Sequence, residues 1–331
     1  MKRILAIGVA LAIGASLAGC AEMKPAGTAE DPYILRIGTS LTETDPLFIA
    51  LTDVFEKQVE EKTSNGIQVE IYSGSQLGSD EDVLEQAIVG HSTGIITDAG
   101  RLSNYVYEFG VLQAPYIASN YDEVLELLET PTYRSLCNEL EDIGFKILSF
   151  NYFQGERELF TKKPVTEPAD LKGQRIRSSG SAVVTKTLEA MGANTTVLPW
   201  SESYQALQQQ VIEGVEVHLS AAVGSSIQEV TDYLSFTGHQ QLLTGLVVAA
   251  EWFENLPEDY QQILLDASYE AGLSASNSVI AQNDEYLDRL IEGGITVVDC
   301  DVDAFREACN AVYDELGYSE IKAQIDKEMG K

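Results

Sequence analysis

The chain has 331 residues, a formal charge of −31 and 44% hydrophobic residues. That excess of acid excludes binding to nucleic acid or anionic lipid through bulk electrostatics, and reads as solubility in an extracellular setting. About 300 residues beyond the leader, at this apolar content, suffice for two cores, so two domains are expected.

The N-terminus reads as a processing signal. Lys2 and Arg3 supply charge, Ile4 to Ala15 an apolar core, and Leu17-Ala18-Gly19-Cys20 resembles a bacterial lipobox. Cleavage there leaves a diacylated Cys20 as the mature N-terminus and, by removing two positive charges, takes the formal charge from −31 to −33. The apolar stretch falls short of the roughly 20 residues that span a bilayer. Residues 21 to 32, small, polar and proline-punctuated, read as a leash that holds the body on the order of 20 Å from the lipid. The protein is thus expected outside the cytoplasm, tethered at one end.

Beyond the leash, strand and helix patterns alternate. Tyr33 to Gly38 is β-rich; Asp45-Pro46 then caps a helix with Leu47, Leu51, Val54, Phe55 and Val59 on one face. Gln68 to Tyr72 is a strand, Ser79-x-x-Asp82 a capping box opening a helix that Gly90 ends, and Gly94 to Thr97 a third strand. After Phe145 to Gln154 the pattern restarts: strand 174–178, helix 182–191, strand 194–198, helix 202–213 and strand 215–219. A strand near Leu242 to Ala250 precedes one long helical pattern, Pro257 to Glu292, and a last strand, Ile295 to Cys300, and helix, Val302 to Leu316, follow. Alternation of this kind predicts parallel sheets with crossover helices in two α/β lobes.

Charge is distributed unevenly. Between Glu156 and Lys186 lie seven of the 21 basic residues, including Arg157, Arg175 and Arg177, against four acids, a local net of +3. A guanidinium grips a carboxylate bidentately, so arginines at strand ends are what capture of an organic acid needs. Arg175 alternates with Ile176 and is equally a surface ion pair. Cys137, Cys300 and Cys309 are an odd set; a Cys300–Cys309 bridge competes with simple packing of both. The three histidines form no i,i+4 pair and no Walker loop is present, so neither a metal nor a cofactor is expected. Gly90-His91-Ser92-Thr93-Gly94 matches the G-x-S-x-G elbow of hydrolases, but that elbow follows a strand and precedes a helix, and here the order is reversed.

Several segments together resemble one family. Gln76-Leu77-Gly78, Phe109 to Tyr116, Asp170-Leu171-Lys172-Gly173 to Ile176-Arg177, Met191-Gly192-Ala193, Glu202-x-Tyr204-x-Ala206-Leu207-Gln208 and Glu213-Gly214 look like the DctP-type solute receptors of TRAP transporters, from about Tyr33 onward. The resemblance implies a two-lobed periplasmic binding-protein fold, type II-like, with crossing strands and a long helix spanning both lobes. It implies an organic carboxylate ligand and a membrane permease partner driven by an ion gradient, with no chemistry done on the ligand. Residue by residue, it implies that Arg177 holds the carboxylate and Arg157 assists. Trp200 and Tyr204 stand where aromatic contacts fall and Asp98 where an acid meets ligand hydroxyl or amine groups, with Phe153, Gln154 and Tyr116 as weaker candidates. The family's Asp-Gly-x-Glu-Asn-Pro is here Glu213-Gly214-Val215-Glu216-Val217-His218, so Val217 replaces an amide and the ligand is free to differ from a C4-dicarboxylate. His218 either hydrogen-bonds the ligand or is packed.

The expected organisation is residues 33–154 with about 243–282 as the first lobe and 155–242 with about 283–331 as the second, in a monomer. A receptor for an ABC importer or a sensor shares the anchor and the two lobes; a hydrolase using Ser92 is the remote alternative.

Overall fold

The computed structural model describes residues 27–331; Cys20, the leader and the start of the leash lie outside the described residues. The strands are β1 (Tyr33–Gly38), β2 (Ile67–Tyr72), β3 (Thr93–Asp98), β4 (Phe145–Thr161), β5 (Arg175–Ser178), β6 (Asn194–Val197), β7 (Gly214–Val217), β8 (Tyr233–Ala249) and β9 (Thr296–Val298). They form one sheet in the order β2-β1-β3-β8-β4-β7-β5-β6, with β9 on β8. The first three strands are mutually parallel where they pair, as are β5, β6 and β7.

Two long antiparallel strands weld these parallel sets together. Because β4 and β8 have 17 residues each, β3 docks on the C-terminal part of β8 while β7 docks on the C-terminal part of β4. Sequence patterning identifies only the apolar pieces of these strands, Phe145 to Gln154 and Leu242 to Ala250. Their other halves carry the polar run Glu156-Arg157-Glu158 and Thr237 to Gln241, which looks like loop. Four irregularities in the β4–β8 register fall between Ile147 and Leu159, and Gly155 there has φ +107°, so the ribbon bends where it passes from one half to the other.

The helix Glu258–Glu292 spans about 52 Å at 1.5 Å per residue and crosses both halves. Its buried face is mostly small, Ala267, Ser268, Ala271, Gly272, Ala275 and Ser276, which brings its backbone close to β4. A Cβ at Gly272 would run into Asn151 Oδ1. Ser276 Oγ donates to Asn151 O at 2.8 Å and accepts from Phe153 N at 2.9 Å, so the helix satisfies backbone groups that the irregular strand leaves free.

Local cap signals hold. Asp45 Oδ1 accepts from Leu47 N at 2.9 Å with Pro46 at the first helical position, and Ser79 with Asp82 forms the reciprocal capping box. The leash is shorter than the sequence suggests: Gly27 N donates to Asp31 O at 2.8 Å and Tyr260 Oη donates to Gly27 O at 3.0 Å, so residues 27–32 are pinned to the body. The expected helix over 202–213 ends at Gln208, and β7 ends at Val217; His218 then stands at the N-terminal boundary of the helix Leu219–Gly224 without a side-chain cap bond. At the C-terminus Val302–Cys309 and Val312–Glu315 pack on the helix Ala182–Ala190 of the second half. Ser319–Glu328, in contrast, packs on Pro131–Asp142 of the first, whereas the sequence reading assigns all of 283–331 to the second lobe. Cys137, Cys300 and Cys309 are all free, with Cys309 buried.

Candidate functional site

The C-terminal ends of the parallel strands in both halves face one cavity. Thr39 to Leu41 follow β1 and Asp98 ends β3; Arg177 lies near the end of β5 and Val217 ends β7; Gln154, Arg157 and Thr244 from the crossing strands complete the wall. Ligands in open α/β sheets bind beyond the carboxyl ends of strands, where connections diverge and backbone groups remain free. The cavity holds about 600 Å³ of space, part of it continuous with open solvent.

Arg177 is only 2% exposed. Its Nε donates to Leu198 O at 2.9 Å, its guanidinium lies 5.7 Å from the Trp200 ring centroid, and its Nη2 has no partner. Among the described residues no carboxylate stands within ion-pair distance of it. Burial first, and then the neighbouring Arg101 guanidinium, pull it down to about 10, so it is still a cation at neutral pH. A buried cation without a counter-charge costs free energy that an arriving anion would recover.

Arg157 has a different status. Its guanidinium forms a bidentate pair with Glu216, with Nε on Oε2 and Nη2 at 2.5 Å from Oε1, and Nη2 also donates to Glu216 O at 2.7 Å. Burial alone would raise the Glu216 carboxyl, but Arg157 and His239, the latter 3.7 Å away, override it and hold it at about 2. Arg157 thus lines the cavity as half of a neutral pair. Beside it His218 is 3% exposed with both ring nitrogens unpartnered, and burial followed by Arg157 pushes it down to about 3, so the ring is neutral. Val217, 2% exposed, adds an apolar contact.

On the opposite wall Asp98 caps the short helix Ala99–Leu102, accepting from Arg101 N at 2.9 Å. The Arg101 side chain pairs with Asp98, with Asp80 at 3.1 Å and with Glu81 at 2.8 Å. Burial would lower Arg101, but three carboxylates reverse the sign and raise it; Asp80, also buried, is itself raised by desolvation. Sequence reading misses Arg101, Asp80 and Glu216. The first is three residues after Asp98, a spacing that puts an N-cap and the end of the first turn together, which is the one signal available.

Several candidates do converge: Arg177, Arg157, Asp98, Trp200, Val217, His218 and Gln154 all line the cavity. Others do not. Tyr204 points away, its Oη donating to Glu229 Oε2 at 2.9 Å. Phe153 stacks on Tyr121 at 4.9 Å, lining a separate cavity, and Tyr116 sits under Arg306 with 4.4 Å between guanidinium and ring centroid. Arg175 is at the surface, 3.6 Å from Glu213 and bonded to the carbonyls of Gln210 and Val211. Ser92 follows the helix Asp80–Ile88 and precedes β3, the reverse of a nucleophile elbow.

Residues 37–320 match the family described as bacterial extracellular solute-binding protein, family 7, or DctP. The chain belongs to that family. The receptor is 27% identical over 288 residues to the C4-dicarboxylate-binding periplasmic protein DctP of Vibrio cholerae, covering 85% of each chain. It also resembles a TRAP periplasmic solute-binding protein from Ochrobacterium anthropi with bound L-fuconate (30% identity, TM-score 0.87, covering 90% of this chain and 99% of that one). An apo open structure of a TRAP solute-binding protein from Escherichia fergusonii is more identical, 33%, yet superposes less well, with a TM-score of 0.78 over 89% of this chain and 99% of that one. Membership makes this chain an extracytoplasmic solute receptor of the TRAP type and not an enzyme. Among the described residues no helix is long and apolar enough to cross a membrane.

Proposed function

We propose that the receptor captures a small organic acid by docking its carboxylate on Arg177 as the lobes close, and presents it to a TRAP permease while tethered through a lipidated Cys20. The observation that carries this reading is the state of Arg177: a buried guanidinium in the shared cavity, with a free Nη2 and no acidic partner among the described residues. Arg101 and Arg157 already hold carboxylates. The L-fuconate of the Ochrobacterium neighbour and the C4-dicarboxylate of the Vibrio relative share the one chemical group that Arg177 lacks.

Closure follows from differential affinity: the ligand touches both walls only when the lobes meet, so it favours that form. The bent β4–β8 ribbon is the hinge, and Ser220 Oγ donating to Asp45 Oδ2 at 3.1 Å is a latch across the opening. In this proposal the first lobe is residues 33–154 with about 243–282 and the C-terminal segment 319–331, and the second 155–242 with about 283–318, the receptor being a monomer. Losing one partner of a buried, hydrogen-bonded charge pair costs about 2–5 kcal/mol, so Arg177→Ala is expected to weaken acid binding by roughly thirty- to several-thousand-fold. Calorimetry that finds Arg177→Ala within threefold of wild type discards the reading. For the anchor, Cys20→Ala should move the protein from the membrane to the soluble fraction.

A further inference from the structure

The ligand's far end can be read from what the cavity leaves unsatisfied, and this step rests on the Arg177 reading above. Charge is lopsided across the opening. On the second-lobe wall Arg157 is cancelled by Glu216, and Arg177 alone contributes +1. On the first-lobe wall Arg101 meets Asp80 and Asp98, which line the cavity, and Glu81, which lies behind it, so the cluster carries a net −2. A second carboxylate on the ligand, extended away from Arg177, would face this negative wall with no free cation to receive it.

The unpartnered groups narrow the chemistry. Among the described residues, the buried side chains lining this cavity that lack hydrogen bonds are, besides Arg177 at Nη2, Thr97 at Oγ1 and His218 at both ring nitrogens. A threonine hydroxyl both donates and accepts, and a neutral imidazole presents one donor and one acceptor. The ligand group that satisfies either polarity is a hydroxyl. An ammonium only donates, and an alkyl chain would leave these atoms buried and unpaired, which costs more than a missing contact at the surface. The acids of the opposite wall already accept from Arg101, and Asp80 also from Ser40 Oγ at 3.0 Å. Further donors from ligand hydroxyls suit their remaining lone pairs.

We infer that the receptor selects a monoanionic polyhydroxy acid, its single carboxylate on Arg177 and its hydroxyls on Thr97, His218 and the Asp80–Asp98 wall, and discriminates against dicarboxylates. Calorimetry on the intact receptor with D-gluconate, L-fuconate, succinate, hexanoate and 4-aminobutyrate separates the possibilities. A hydroxy acid should bind at least tenfold tighter than succinate and hexanoate. Thr97→Val should weaken the hydroxy acid three- to tenfold while leaving hexanoate unchanged, and Asp80→Asn should narrow the gap to succinate at least threefold. Thermal melts of both variants establish that they fold. Succinate binding as tightly as the best hydroxy acid overturns the monoanion assignment and leaves Arg177 standing. Hexanoate or 4-aminobutyrate matching it overturns the hydroxyl assignment. Failure of every acid to bind removes the Arg177 reading itself.

Discussion

Two buried arginines face one another across the cavity, and they differ in almost everything but residue type. Arg101 sits on the first-lobe wall inside a ring of Asp80, Glu81 and Asp98; Arg177 sits on the second-lobe wall with a carbonyl, an aromatic face and a free Nη2. The first is saturated and holds the loop after β3 to the helix Asp80–Ile88. The second is held in place but electrically unanswered. Burial of a cation therefore says nothing by itself about function; the balance of counter-charges around it does.

The comparison is most exposed to a pair of alanine substitutions. Arg101→Ala strands three neighbouring acids, two of them buried, and should cost about 3–5 kcal/mol of ligand-free stability in a urea melt. Arg177→Ala removes an unpaired buried cation and should leave ligand-free stability unchanged or raised, its loss confined to affinity. Equal destabilisation by both would erase the distinction.

Next in size is pH. Asp45, caught in the latch, is raised by burial to about 6, and Glu158, buried beside Glu156 and accepting from Gly238 N at 2.8 Å, is raised by burial to about 8. Both carboxyls bind protons more tightly folded than unfolded. Their contribution is fully present below their ordinary pKa values and is lost as pH rises through about 6 and then about 8. Glu216, held at about 2, acts oppositely and costs stability only as pH falls below its ordinary value near 4.5. His218, held at about 3, likewise costs stability below its ordinary value near 6.5, so the melting temperature should be higher at pH 6.5 than at pH 8.5, and Glu158→Gln should flatten the upper part of that profile.

The latch itself sharpens the picture further. Ser220→Ala removes a hydrogen bond to Asp45, a contact worth about 1.5–3 kcal/mol when one partner is charged, and should weaken ligand binding by about ten- to a hundredfold through the open–closed equilibrium. Smallest of all, Tyr204→Phe and Ser92→Ala should leave affinity within twofold, since Tyr204 turns to Glu229 and Ser92 lies between a helix end and a strand start.

Much of the scaffold was legible locally. Asp45-Pro46, the Ser79–Asp82 box and the long pattern ending at Glu292 each name their helix, because capping and 3.6-residue periodicity depend on neighbours within one or two turns. The ends of β4 and β8 were not, since their polar residues are buried only by pairing with strands distant in sequence. The site divides the same way. The basic island pointed to Arg157 and Arg177, but nothing near Arg157 announces Glu216, 59 positions away, as its partner.

Sequence alone thus determined the family, the alternation of strands and helices, and which residue types stand ready for an anion. Tertiary structure decided which of them is free to meet it. Whether a guanidinium is spent or available depends on carboxylates brought within about 4 Å by chain segments far apart, and that distance is set by the folded sheet and not by the order of residues.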